Sequence, residues 1–231
     1  MFDNVVADLR HYSRYCCGKK LSWLVFFRIL YTHPASLAVI WYRFGRMAYG
    51  CRVPVLRQLL QVVYLLLLQS VRIYSGVQLQ PATSVGPGLA ILHFGGVVIA
   101  PKTEIGSNCL LHHNVSIVTM RNSQAARIGN DFYAGTGVIV LESVIIEDNV
   151  TAGAGCIITK SVPRGAVVAG VPARILRFRQ PGENPAEGKT LRRVPIGWLA
   201  SPRETTQQMQ ATTGDNSGDG QGGAPGAPGP M

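Results

Sequence analysis

The feature that most constrains this chain is a period of six. Aliphatic or small residues fall at Leu79, Val85, Ile91, Ile99, Ile105, Leu111 and Ile117, and after a break at Ile128, Ala134, Val140, Ile146, Ala152 and Ile158. The residue after each beat is often small or acidic, as at Gly86, Gly106, Gly129, Gly135, Glu147 and Gly153. Two places before it stands a compact or β-branched residue, such as Thr83, Thr103, Val115, Val138 or Val150. A short fixed period of this kind is the mark of a parallel β-solenoid. Six residues make one short strand and a turn, so three sixes close a triangular coil of about 18 residues. Each beat residue then points into the prism and stacks on the next coil, about 4.8 Å along the axis. A helix cannot use the pattern, because six is not a multiple of the helical repeat. The small residue after the beat is expected at the corner, in a backbone geometry that larger side chains tolerate poorly.

The fold expected is therefore mainly β, with three parts. Residues 1–75 form a basic, apolar helical region, 76–178 the β-helix, and 179–231 a low-complexity, largely disordered tail. The first part holds 10 Lys/Arg against 2 Asp/Glu, whereas the solenoid is close to neutral. No basic run with interleaved aromatics appears, so nucleic acid is not expected as a partner. Polyanionic small molecules and an anionic membrane surface suit the charge better.

Helices are expected over Leu21–Tyr31, Ala35–Tyr49 and Val53–Ile73. The uncharged stretch of the last, Gln58–Val71, falls short of the roughly 20 apolar residues of a spanning helix. The expected role is packing on the solenoid or a neighbouring subunit, with peripheral membrane contact through residues 20–75 as the other reading. No secretory signal opens the chain, and Cys16, Cys17, Cys51, Cys109 and Cys156 show no metal spacing. A reduced, cytoplasmic setting is expected.

The beat is interrupted twice: by two extra residues around Gly95–Val98, just after His93, and by the segment between Ile117 and Ile128. Insertions in repeat folds map to the functional face. The two extra residues make Ile91 and Leu111 equivalent one coil apart, so His93 and His113 are expected in one column. By the same alternation His112 points away and is expected to be idle. His11 and His33 lie in the helical region with no evident partners.

The repeats, His-Phe-Gly-Gly-Val-Val-Ile at 93–99 and Val-Ala-Gly-Val-Pro-Ala-Arg at 168–174 resemble serine acetyltransferases and their polysaccharide-modifying relatives over about residues 20–178. The resemblance implies a left-handed parallel β-helix, a homotrimer, acetyl-CoA as co-substrate and no metal. It implies His93 as the general base, a role imidazole suits near neutral pH, with His113 orienting the acceptor or sharing its proton. The pantetheine arm would lie on backbone amides around Gly135, Gly153 and Ala154. The nucleotide end would meet Lys160 and Arg174, within a group that also holds Arg164, Arg177 and Arg179.

Departures from that pattern bear on the acceptor. Leu92 precedes His93 where those enzymes carry aspartate, Gln78-Leu79-Gln80-Pro81 stands for Asp-Ile-His-Pro, and Ala100-Pro101-Lys102-Thr103 for Gly-Glu-Thr-Ala. Val118-Thr119 replaces Gly-Gly, and the loop's Arg-His is reduced at most to Arg121. A zwitterionic acceptor would leave charges unpaired in such a site. The expected acceptor is accordingly a hydroxyl of a bacterial surface-polysaccharide precursor or sugar, with serine O-acetylation in cysteine biosynthesis as the alternative. A γ-carbonic-anhydrase-like metalloenzyme, which needs a third converging histidine, and a non-catalytic β-helix scaffold complete the alternatives.

Overall fold

All thirteen beat residues are buried, and so are the residues two places before them. The structure is a computed structural model that describes residues 2–18, 21–120, 123–180 and 183. Short strands stack in three faces of a parallel β-solenoid. One face holds Val77–Gln78, Val97–Ile99, Ser116–Ile117, Ile139–Val140 and Ile157–Ile158. The second holds Ser84–Val85, Glu104–Ile105, Arg127–Ile128 and Ile145–Ile146. The third takes Ala90–Ile91, Leu110–Leu111, Tyr133–Ala134, Thr151–Ala152 and Ala166–Ala169, and ends in the antiparallel strand Arg174–Phe178.

Register follows the interruptions. Ile91 pairs with Leu111, a coil of 20 residues, and Ile117 with Val140, a coil of 23. Val140 pairs with Ile158 at the regular 18. The last coil is shorter: Ala152 pairs with Val168, 16 residues on. The repeat thus continues past Val162, where the sequence pattern fades. Of the loop after Ile117, Arg121 and Asn122 lie outside the described residues, as does the tail beyond Gln180 apart from Glu183.

The corners differ from expectation. Left-handed backbone falls three places after the beat, at Gly88, Lys102, Asn108, Asn114, Asp131, Gly137, Ser143, Asn149 and Gly155. The small residue directly after the beat answers to close approach instead. A Cβ on Gly106 would stand 2.6 Å from the backbone of Gly129, one coil on.

The helical layer covers the start of the solenoid. Its helices are α1 (Phe2–Tyr12, running into a π-turn over Ser13–Cys17), α2 (Trp23–Thr32), α3 (Pro34–Gly50) and α4 (Pro54–Ser75). Pro34 opens α3 at its first turn, where a missing N–H costs nothing. Ala35, Ala38, Val39 and Tyr42 join the solenoid core from α3. α4 rests chiefly on α3, with Trp41 and Tyr64 stacked at 5.8 Å. Val55, Leu59, Val62, Leu66 and Ile73 of α4 stay exposed. The helix reaches 22 residues, longer than the uncharged stretch implied and long and apolar enough to cross a membrane by length and composition.

Buried polar anchors join this layer to the first coil. Asp8 and Arg43 pair at 2.9 Å with both side chains almost fully enclosed. The Asp8 carboxylate also accepts from the Gly88 and Leu89 amides, and Arg43 donates to the Val85 and Gly86 carbonyls. Removing one partner of such a pair strands the other in a poorly solvated site. Asp8→Ala is expected to lower stability by about 3–5 kcal/mol in equilibrium denaturation. Asp3→Ala, at an exposed position, should stay within about 0.5 kcal/mol. Equal midpoints for the two variants would show that the pair carries no such weight.

Candidate active site

The third face positions the histidines. Its register sets Leu92, His112, Gly135 and Gly153 in one column, and His93, His113, Thr136 and Ala154 in the next. Ile91, two residues before His93, lies on the outermost strand of this sheet. Tyr12 from α1 covers that edge: its hydroxyl donates to the Ile91 carbonyl at 2.7 Å and accepts from the Ile91 amide at 2.8 Å. One phenol thus stands in for the missing neighbouring strand.

The chain then turns sharply. His93 has φ 70°, a left-handed conformation uncommon for a side chain larger than glycine. Gly76, with φ 66°, ends α4 beside this turn, and a Cβ there would lie 2.5 Å from the Gly95 Cα. Both its backbone angle and its lack of space require glycine.

His93 and His113 come together as the spacing implied, with ring centroids 5.5 Å apart and planes at 85°. His93 itself is exposed and takes part in no side-chain hydrogen bond among the described residues. His113 Nδ1 is buried without a hydrogen-bond partner among the described residues.

His112 is not idle. Its Nε2 lies 3.0 Å from the Tyr133 hydroxyl, and its ring stands 5.8 Å from that of His93. Burial pushes the imidazole below the ordinary histidine range, and the neighbouring His93 and His113 push it the same way. Strict alternation failed because residue 112 begins a turn, where side chains no longer alternate across a sheet. The helical histidines also have roles. His11 Nδ1 donates to the Gly88 carbonyl at 2.5 Å. His33, at the α2–α3 corner, lies close enough to His93 for their charges to interact and is likewise lowered, chiefly by burial.

The residues assigned to the donor divide. The amides of Gly135 and Gly153 are spent in the inter-coil ladder, on the carbonyls of Ala152 and Val168, and are not free for a ligand. A Cβ on Gly135 would stand 2.7 Å from the Ala154 amide nitrogen, so this glycine answers to close approach between coils, while Ala154 itself is exposed. Arg164 pairs with Asp148, Arg177 with Glu183, and Arg179 bonds Asn149. Lys160 and Arg174 are exposed and without partners among the described residues. No group of three or more His, Cys, Asp or Glu side chains among the described residues is arranged to hold a metal ion. His93, His112 and His113 approach as rings and do not converge on a point.

Comparison with known proteins bears on this geometry. No family model matches the chain. A serine acetyltransferase of Synechococcus elongatus is 30% identical over 151 residues, 64% of this chain and 59% of that protein. One from Helicobacter pylori is 27% identical over the same share of this chain and 84% of its own length. The crystal structure of Neisseria gonorrhoeae serine acetyltransferase superposes with a TM-score of 0.64 at 23% identity, over 79% of this chain and 68% of that one. This chain is similar to serine acetyltransferases in sequence and shares their fold. A further serine acetyltransferase structure, a complex with CoA, has a TM-score of 0.62 at 21% identity over 75% of this chain, which extends the likeness in fold.

These relatives overturn the expected polysaccharide acceptor. The proteins matched in sequence and in fold carry the name serine acetyltransferase, the reading held above as the alternative. The substitutions at Leu92, Gln78 and Pro101 are thus departures from the serine acetyltransferase pattern in a chain similar to those proteins. Leu92 packs with Leu9, Tyr12, Ile29 and Leu110 beneath the helical layer, so its side chain serves the joint between helices and solenoid.

Proposed function

We propose that the chain is an acetyl-CoA-dependent O-acetyltransferase acting on the hydroxyl of L-serine, with His93 as general base. The observation that carries the reading is the alignment of 151 residues, at 30% identity, with a serine acetyltransferase. The exposed His93, set at the turn where the coil is lengthened, supports its role.

In the reaction, a neutral His93 imidazole takes the hydroxyl proton as the serine oxygen bonds to the acetyl carbonyl carbon. The carbon–sulfur bond then breaks, and the departing thiolate is protonated to free CoA. A base held within hydrogen-bond reach contributes roughly 10²–10⁴ in rate. His113, whose ring is edge-on to His93, orients the acceptor. Lys160 and Arg174 are cations with no partner among the described residues and fit the phosphates of the donor, while exposed Ala154 leaves room for the pantetheine arm. A homotrimer belongs to the same reading, and the exposed apolar residues of α4 are of the kind that such an assembly buries.

Purified protein is expected to release CoA from acetyl-CoA in a saturable, L-serine-dependent manner, with O-acetylserine as product. His93→Ala should lower this rate by about 10²–10⁴ while leaving the fold intact. Absence of any serine response would overturn the acceptor; undiminished turnover in His93→Ala would overturn the base. Replacing Lys160 and Arg174 together by alanine should raise KM for acetyl-CoA about tenfold or more, because a cation holds a phosphate through charge-assisted hydrogen bonds that alanine cannot make. The same change at Arg164, already paired with Asp148, should leave that KM near its original value.

A further inference from the structure

His93 is exposed, lies in left-handed backbone and makes no side-chain hydrogen bond of its own among the described residues. The residue before it is an apolar packing group. A base contributes most when its ring is held in a near-attack orientation, so groups that bound the ring matter to the reaction.

We propose that His112, anchored by the Tyr133 hydroxyl, is a positioning residue for His93. Four observations lead there. The His112 ring stands 5.8 Å from that of His93, tilted by 42°, while His113 flanks His93 edge-on at 5.5 Å, so two rings bound the space open to the base. His112 is itself fixed by its 3.0 Å contact with Tyr133 and by a 5.4 Å ring contact with the same residue. Tyr133 sits in the strand below, half-buried among the residues that join α1, α2 and α3 to the third face. Leu92 and Gly135 stand above and below His112 in its column, an apolar neighbour and one with no side chain.

The titratable groups around His112 are His93, His113 and Tyr133, none of which supplies a negative charge at neutral pH. Burial and the two imidazoles therefore disfavour a proton on His112. This matters for the reaction, because His93 becomes an imidazolium as it accepts the hydroxyl proton. A neighbour that stays neutral adds no repulsion at that moment, whereas a charged one would oppose the transfer. The sign follows for acid solution. With its pKa lowered, His112 remains neutral to a lower pH than a free imidazole and keeps its place beside His93 over that range.

The inference uses the serine reading only for its substrate; its geometry can be tested without one. Proton NMR titration of the histidine rings should show His112 charging below the ordinary range. In His93→Gln it should charge at a higher pH, because one neighbouring imidazole is gone. A His112 titration unmoved by His93→Gln overturns the coupling, whether or not serine is a substrate. In the kinetic arm, Tyr133→Phe and His112→Ala are expected to lower kcat for CoA release about 3–30-fold with KM for acetyl-CoA little changed. His112→Gln, which can still hydrogen-bond Tyr133, should recover part of the loss. If serine proves not to be the acceptor, the slow hydrolysis of acetyl-CoA by water provides the same comparison. Unchanged kcat in both Tyr133→Phe and His112→Ala overturns the positioning role, as does a loss that appears wholly in KM for the donor.

Discussion

Every parallel solenoid must end somewhere, and its terminal coils present rows of backbone groups with no strand to pair with. In this chain the first coil is finished by side chains. Asp8 takes the amides of Gly88 and Leu89, Arg43 takes the carbonyls of Val85 and Gly86, His11 the carbonyl of Gly88, and Tyr12 both polar groups of Ile91. Residues 85–91 are thus held from outside by α1 and α3 as well as from inside by the stacked core. The opposite end is closed differently, by the antiparallel strand Arg174–Phe178. The turn that carries His93, the proposed base, begins two residues past Ile91, so the helices that end the solenoid also hold the backbone leading into it.

The solenoid was legible because its cause is periodic. Every beat residue meets its counterpart one coil away, and the two-residue insertion shifts Ile91 onto Leu111 in full view of the sequence. The corner geometry was not. Small or polar residues occur both directly after the beat and three places after it, for two different reasons, and spacing alone does not separate close approach from left-handed backbone. The side-chain anchors were also hidden. Asp8 and Arg43 are 35 residues apart, and most of their partners are backbone groups, which leave no trace in residue type. The cationic cluster was read as one group, yet Arg164, Arg177 and Arg179 serve local bonds. A carboxylate one coil away, at Asp148, was the available signal for Arg164, whereas Asn149 lies 30 residues before Arg179.

Leu92 lies where the helical layer meets the first coil. A carboxylate at that position would face an apolar cluster that includes Leu9, Tyr12 and Ile29, and would lose part of its hydration there. Leucine removes that cost and seals the joint, but it takes away the group that could hold the histidine by a hydrogen bond. The orientation of His93 is then left to what remains: a backbone clamped at Ile91 by Tyr12, a turn pressed against Gly76, and flanking imidazoles. Packing replaces a hydrogen bond as the source of order. The exchange is physically reasonable, because a base at a wet surface needs its direction restricted more than its charge compensated.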